Sequence, residues 1–201
     1  MARVKICGLT RPCDIEAVNA QRPDYIGFVF AESRRKLLPE QAVGLRKLLS
    51  PDIIPVGVFV DEPIENILSL VRGGVVDMIQ LHGSEDEEYI HKLKLMTDKS
   101  VIKAVAIEKE GDAQKWEQSS ADYLLLDHRS GGTGKSFDWG LVGNLGKEFF
   151  LAGGLSPENV AGAIEKTMPF AVDVSSGVEA GGVKDLDKIR DFVRMARGMH
   201  S

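Results

Sequence analysis

The chain has 201 residues, 43% hydrophobic and 27% charged, with a formal net charge of −5; that is enough to bury one sizeable core. No Lys/Arg cluster and no apolar run near the roughly 18 residues of a membrane span is present, so neither nucleic acid nor a membrane is an expected partner. Two cysteines, Cys7 and Cys13, and four scattered histidines, His82, His91, His128 and His200, give no disulfide scaffold and no zinc-site spacing, so a cytoplasmic protein with free thiols and no metal is expected.

Strand and helix signals then alternate along the chain. A β-rich run at 3–7 precedes a weak helical segment after Thr10. The run at 25–30 is apolar on consecutive residues, as strands buried on both faces are, and a helix follows Pro39. After a strand at 54–60, Pro63 opens a helix whose Ile64, Ile67, Leu68 and Val71 fall at i, i+3, i+4 and i+7. A strand at 77–82 leads to Ser84 and Glu87, a capping-box pair ahead of Tyr89, Ile90 and Leu93. Strands at 101–106 and 123–127 precede weaker helices after Gly111 and Asp138. A strand at 149–152 runs into Ser156-Pro157, which reads as an N-cap with proline at the first helical position. The strand at 170–174 is followed by a helix with Leu186, Ile189 and Val193 on one face.

Eight βα units of about 25 residues, with no composition break, favour a closed (β/α)8 TIM barrel occupying residues 1–201 as a single domain. Such a barrel carries its chemistry at the C-terminal ends of its strands, where Cys7, Asp61, His82 and Asp127 stand. The loops after the last two strands hold Ala152-Gly153-Gly154-Leu155-Ser156 and Asp173-Val174-Ser175-Ser176-Gly177. Paired glycines let backbone N–H groups approach a phosphate, and a helix start behind them adds to the attraction. Gly153-Gly154 alone is equally a tight turn; two agreeing loops point to a phosphate site made by Gly153, Gly154, Ser175, Ser176 and Gly177. Cys7 is either an inert buried thiol or a reactive one, and the second needs a neighbouring cation or a helix N-terminus to make thiolate. Asp127 ends the apolar run Tyr123-Leu124-Leu125-Leu126, where burial would raise its pKa as a general acid requires. Gly134-Lys135-Ser136 fails as a nucleotide-binding loop because Arg129 stands where the pattern needs glycine; a glycine-hinged flap over the site is the better reading.

Lys5-Ile6-Cys7-Gly8-Leu9-Thr10, Gly27-Phe28-Val29-Phe30 with Ser33 and Arg35, Gln80-Leu81-His82-Gly83, Leu125-Leu126-Asp127 and Gly131-Gly132-Thr133-Gly134-Lys135 with Phe137-Asp138-Trp139 occur in order. Ala152-Gly153-Gly154-Leu155 with Pro157-Glu158-Asn159-Val160, and Val172-Asp173-Val174-Ser175-Ser176-Gly177-Val178-Glu179, complete the set. Nearly end to end, the chain resembles the phosphoribosylanthranilate isomerases. The resemblance implies a cofactor-independent Amadori rearrangement of a phosphorylated small molecule, with Asp127 as general acid and Cys7 as general base. It places Arg35, or its neighbour Arg34, near the anthranilate carboxylate, Gln80 and His82 on the substrate, and the phosphate on Gly154, Ser175 and Ser176. Monomers and homodimers both occur in the family. His128 and the basic stretch Ser33-Arg34-Arg35-Lys36 depart from the usual pattern. The competing readings are the histidine-pathway isomerase that runs the same reaction, which uses an aspartate in place of Cys7, and a barrel that only binds a phosphorylated ligand.

Overall fold

Consecutive apolar residues in a strand need two dry faces, and a closed sheet ringed by helices supplies both. The computed structural model describes residues 2–128 and 138–198. Within them, β1 (Arg3–Cys7), β2 (Tyr25–Val29), β3 (Ile54–Phe59), β4 (Met78–Leu81), β5 (Val101–Ile107), β6 (Tyr123–His128), β7 (Phe149–Leu151) and β8 (Ala171–Val174) form one closed parallel barrel in sequence order. β8 returns to β1 with Lys5 opposite Asp173. Helices α1 (Pro12–Gln21), α2 (Pro39–Leu48), α3 (Ile64–Arg72), α4 (Glu87–Met96), α5 (Val160–Thr167) and α6 (Leu186–Ala196) lie along the chain between and after the strands.

Alternate strand residues divide between two cores. Val4, Ile6, Ile26, Phe28, Ile79, Leu124 and Leu126 belong to the outer core under the helices. Tyr25, Val56, Met78, Ile102, Leu125, Phe150 and Ala171 fill the lumen. Phe150 meets Tyr25 and Tyr123 edge-on, with ring centroids 5.4 and 5.7 Å apart, the arrangement that aromatic quadrupoles favour. The Arg3 guanidinium covers the Phe170 ring at 4.1 Å. Among the buried polar side chains, Lys5, Gln80, Lys103 and Asp173 stand on barrel strands.

All eight expected strands are present within two residues of their expected ends. The helices depart further. Among the described residues after β5 and β6, short 3₁₀ turns, Gln114–Trp116 and Trp139–Val142, stand in place of the two weak helices. Ser84 does not cap α4: the Asp86 side chain accepts from the Tyr89 N–H, and the Ser84 hydroxyl instead donates to Asp61. α5 begins at Val160, three residues beyond the expected start, because a turn closed on the Ser156 carbonyl occupies 157–159. Leu186 is exposed, and the buried face of α6 is Ile189, Phe192, Val193 and Ala196. An antiparallel ribbon that the periodicity did not announce, β9 (Glu179–Ala180) and β10 (Val183–Lys184), follows β8. Gly181 and Gly182 turn it with φ of 58° and 84°, the left-handed pair a two-residue hairpin requires. The glycine-rich segment expected to form a flap lies outside the described residues. No helix among the described residues is long and apolar enough to cross a membrane.

Candidate active site

The C-terminal strand ends open into a cavity of about 470 Å³ whose wall includes Cys7, Arg35, Gln80, His82, Asp127, Asp173 and Ser175. Asp61, also at a strand end, lies outside it; its carboxylate accepts from the Ser84 N–H and hydroxyl and ties the loops after β3 and β4 together.

Cys7 occupies the last position of β1, with Lys5 two residues earlier on the same face. Gly27 opposite makes room for the thiol: a Cβ there would lie 2.5 Å from the sulfur. Lys5 is fully buried and donates to the Asp173 carboxylate at 3.0 Å. Burial works against its charge, but Asp173 and Cys7 outweigh it and hold the ammonium above its usual range. Burial pushes the Cys7 thiol up; Lys5 and Lys184 oppose that push and Asp173 adds to it. The cation that a reactive thiol requires is therefore present, partly neutralised by its own carboxylate.

Asp127 ends the inward face of β6. Burial raises its pKa to about 6, against the His128 N–H, which donates to Oδ1 at 2.7 Å. His82 approaches from β4 with Nε2 3.7 Å from Asp127 Oδ2. Burial and Lys5 lower the His82 pKa, so the two do not form an ion pair at neutral pH. The Gln80 amide lies 2.9 Å from His82 Nδ1, leaving Gln80 Oε1 buried without a partner among the described residues. A buried acceptor is costly to leave unpaired, and this one borders the cavity, where a ligand donor would satisfy it.

Arg35 is held by Glu179 on β9 through two bonds, Nε–Oε1 at 2.7 Å and Nη2–Oε2 at 3.1 Å. Arg34 shares the same carboxylate but is 58% exposed against 14% for Arg35, and it does not border the cavity. The structure thus separates two arginines that sequence left equivalent. Lys184 on β10 is buried, donates to Glu179 and to the Ser175 carbonyl, and has its pKa lowered by burial despite Glu179. The Ser175 hydroxyl donates to the Cys7 carbonyl at 3.0 Å, joining loop eight to the end of β1.

Gly153, Gly154, Ser176 and Gly177 lie beside the cavity in sequence and are not part of its wall. Gly153 and Gly154 have φ of 81° and 64°, and Asn159 braces their loop through the Ser156 N–H and the Gly154 carbonyl. Gly177 is a close approach: a Cβ would fall 1.9 Å from the Leu155 carbonyl oxygen, so the two loops pack backbone to backbone. Among the described residues, no hydrogen bond is made by the N–H groups of Gly153, Gly154, Ser176 or Gly177, which leaves four donors on adjoining loops for an anion.

Lys5, Asp173, Glu179 and Lys184 escaped sequence reasoning as site residues. A signal existed for the first two. Lys5 shares Cys7's face at i, i+2, and Asp173 interrupts an apolar strand as abruptly as Asp127 does.

A family model described as N-(5′-phosphoribosyl)anthranilate (PRA) isomerase matches residues 4–195. The chain is 46% identical over 203 residues to the N-(5′-phosphoribosyl)anthranilate isomerase of Endomicrobium trichonymphae, covering 99% of this chain and all of that one. It superposes with a TM-score of 0.87 and 40% identity on a monomer form of the dimeric enzyme from Thermotoga maritima, covering 98% of this chain and all of that one. A phosphoribosylanthranilate isomerase in complex with reduced 1-(o-carboxyphenylamino)-1-deoxyribulose 5-phosphate gives a TM-score of 0.86 at 39% identity, with the same coverage.

Proposed function

The chain belongs to the N-(5′-phosphoribosyl)anthranilate isomerase family, and from that premise we propose that Asp127 and Cys7 convert phosphoribosylanthranilate to the carboxyphenylamino-deoxyribulose phosphate. The observation that carries the reading is the pairing itself: a buried carboxyl with a raised pKa and a buried thiol beside a lysine border one cavity from β6 and β1.

Asp127 gives its proton to the furanose ring oxygen as the C1′–O bond breaks, and the anilino nitrogen's lone pair closes the Schiff base. The adjacent iminium acidifies C2′–H. The Cys7 thiolate takes that proton, and the released electron pair forms the enolamine. Its C2′ hydroxyl proton is then lost and C1′ gains one, giving the ketone. No atom or electron is gained or lost overall. Proton transfer by positioned groups of this kind is worth ~10²–10⁴-fold. His82, neutral at working pH, presents no competing positive charge to Asp127, and its Nε2 edge faces the carboxylate as it ionises.

Arg35, fixed by Glu179, supplies a planar donor set for the anthranilate carboxylate, and the four unpaired N–H groups of loops seven and eight receive the phosphate. A reduced-product complex of a related enzyme supports the substrate class.

The test is the decay of anthranilate fluorescence with freshly generated phosphoribosylanthranilate. Wild type should convert it rapidly, while Cys7→Ala and Asp127→Asn should lose two or more orders of magnitude in turnover with little change in product-analogue affinity, ~10² being the low end for a lost acid or base. Near-wild-type turnover in either variant would remove that residue from its role.

A further inference from the structure

Lys5 carries a charge in the barrel interior that the reaction as written does not use. We propose that Lys5 is a positioning residue for Cys7: its ammonium, clamped by Asp173, is the cation beside which the thiol gives up its proton. The proposal rests on the reading of Cys7 as base.

The geometry follows from the alternation of β1 and the closure of the barrel. Lys5 and Cys7 share the inward face of one strand, and the β1–β8 register puts Asp173 directly opposite Lys5, with the ammonium 3.0 Å from the carboxylate. Many inward-facing positions of the barrel hold apolar side chains, Val56, Met78, Ile102, Leu125 and Phe150 among them, while Gln80 and Asp127 are polar and border the cavity. Stability does not explain an ion pair in such a place, because apolar side chains of similar volume usually serve as well or better. An ammonium has three donors. One goes to Asp173, which leaves two, and Cys7 is the next residue on the inward face of the same strand.

The groups that set the thiol's ionisation are Lys5 on β1, Asp173 on β8 and Lys184 on β10. Arg35, His82 and Asp127 border the same cavity from the loop after β2, the end of β4 and β6. Gly27 on β2 adds no charge. Lys5 favours the thiolate while Asp173 opposes it, so removing each should move Cys7 in opposite directions. An opposite charge within about 4–6 Å is worth one to three pH units.

The experiment reads the thiol directly. In a Cys13→Ser background, the rate of Cys7 alkylation by iodoacetamide is followed against pH by peptide mass; the thiolate sulfur displaces iodide and forms a thioether, so the rate tracks ionisation. Lys5→Met should raise the midpoint by about one pH unit or more, a roughly tenfold slower reaction on the rising limb. Asp173→Asn, which keeps the shape and a hydrogen-bond partner for Lys5, should lower it by a similar amount. The alkaline limb of kcat/KM should follow both shifts. Midpoints that stay put, or that move together, overturn the proposal, as does a kcat/KM limb that ignores a shifted thiol. Alkylation needs no substrate, so it reads the Lys5 coupling separately from the assignment of the base, which unchanged turnover in Cys7→Ala would sink.

Discussion

Asp127 works against the fold that holds it. Its pKa of about 6 lies above the ordinary 3.8 because burial disfavours the charged form. A raised folded-state pKa means the associated stability is complete below about pH 4 and lost as pH rises through about 6. The difference is worth about 3 kcal/mol at neutrality by the usual conversion. Asp127→Asn should therefore unfold in urea at higher concentration than wild type at pH 7, by up to about 3 kcal/mol, with the gain absent at pH 4. An equal gain at both pH values would show that the carboxylate's charge is not the cause. Cys7 and Asp127 could be singled out in the sequence because each puts a reactive group at the end of a strand. Lys5 was harder to find: it shares the face of Cys7, but a lysine in a strand reads as an outward charge until the β8 carboxylate that accepts from it is known, and Asp173 lies 168 residues away.

Elements were legible to the extent that packing on both faces dictates them. The β strands, dry on both sides, could be placed from their apolar runs. The described residues after β5 and β6 were harder, since each stretch holds a short 3₁₀ turn and the periodicity of so few residues is weak. The β9–β10 ribbon was invisible, being only two residues per strand, yet it supplies the carboxylate that aims Arg35. Sequence put the glycines of loops seven and eight on the phosphate; for Gly177 the structure gives a separate reason, its contact with the Leu155 carbonyl. Gly177→Ala must push two backbones apart. It should cost about 1–3 kcal/mol as overpacking does and raise KM more than it lowers kcat. A wild-type KM with the stability loss intact would separate the packing of the loops from phosphate binding.

At the scale of the molecule, the cavity wall draws on β1 through β6, on β8 and on the loop after β2, so a ligand that spans it binds only the closed barrel. Reduced product at 100 times its dissociation constant should add about 2.7 kcal/mol. For a chain of this length that is a rise in Tm of about 5–10 °C. At the same ligand concentration the rise should shrink in Gly177→Ala with the logarithm of the lost affinity; an identical rise in both proteins would argue against loops seven and eight as part of the binding surface. Closure itself followed from eight strand–helix units in one chain. The polar upper lumen did not, because which inward residues meet across the barrel depends on register.

The seam between β8 and β1 also sets a clock. At roughly 5–20 residues per second of synthesis, Lys5 is made some 8–34 s before Asp173. Through that wait β1 carries Arg3 and Lys5 on alternate positions, charges that deter it from zipping onto a neighbour's open strand. The same lysine that sits beside the thiol in the finished barrel is thus a guard for the newborn one, and the enzyme cannot switch on until nearly its last strand has been translated.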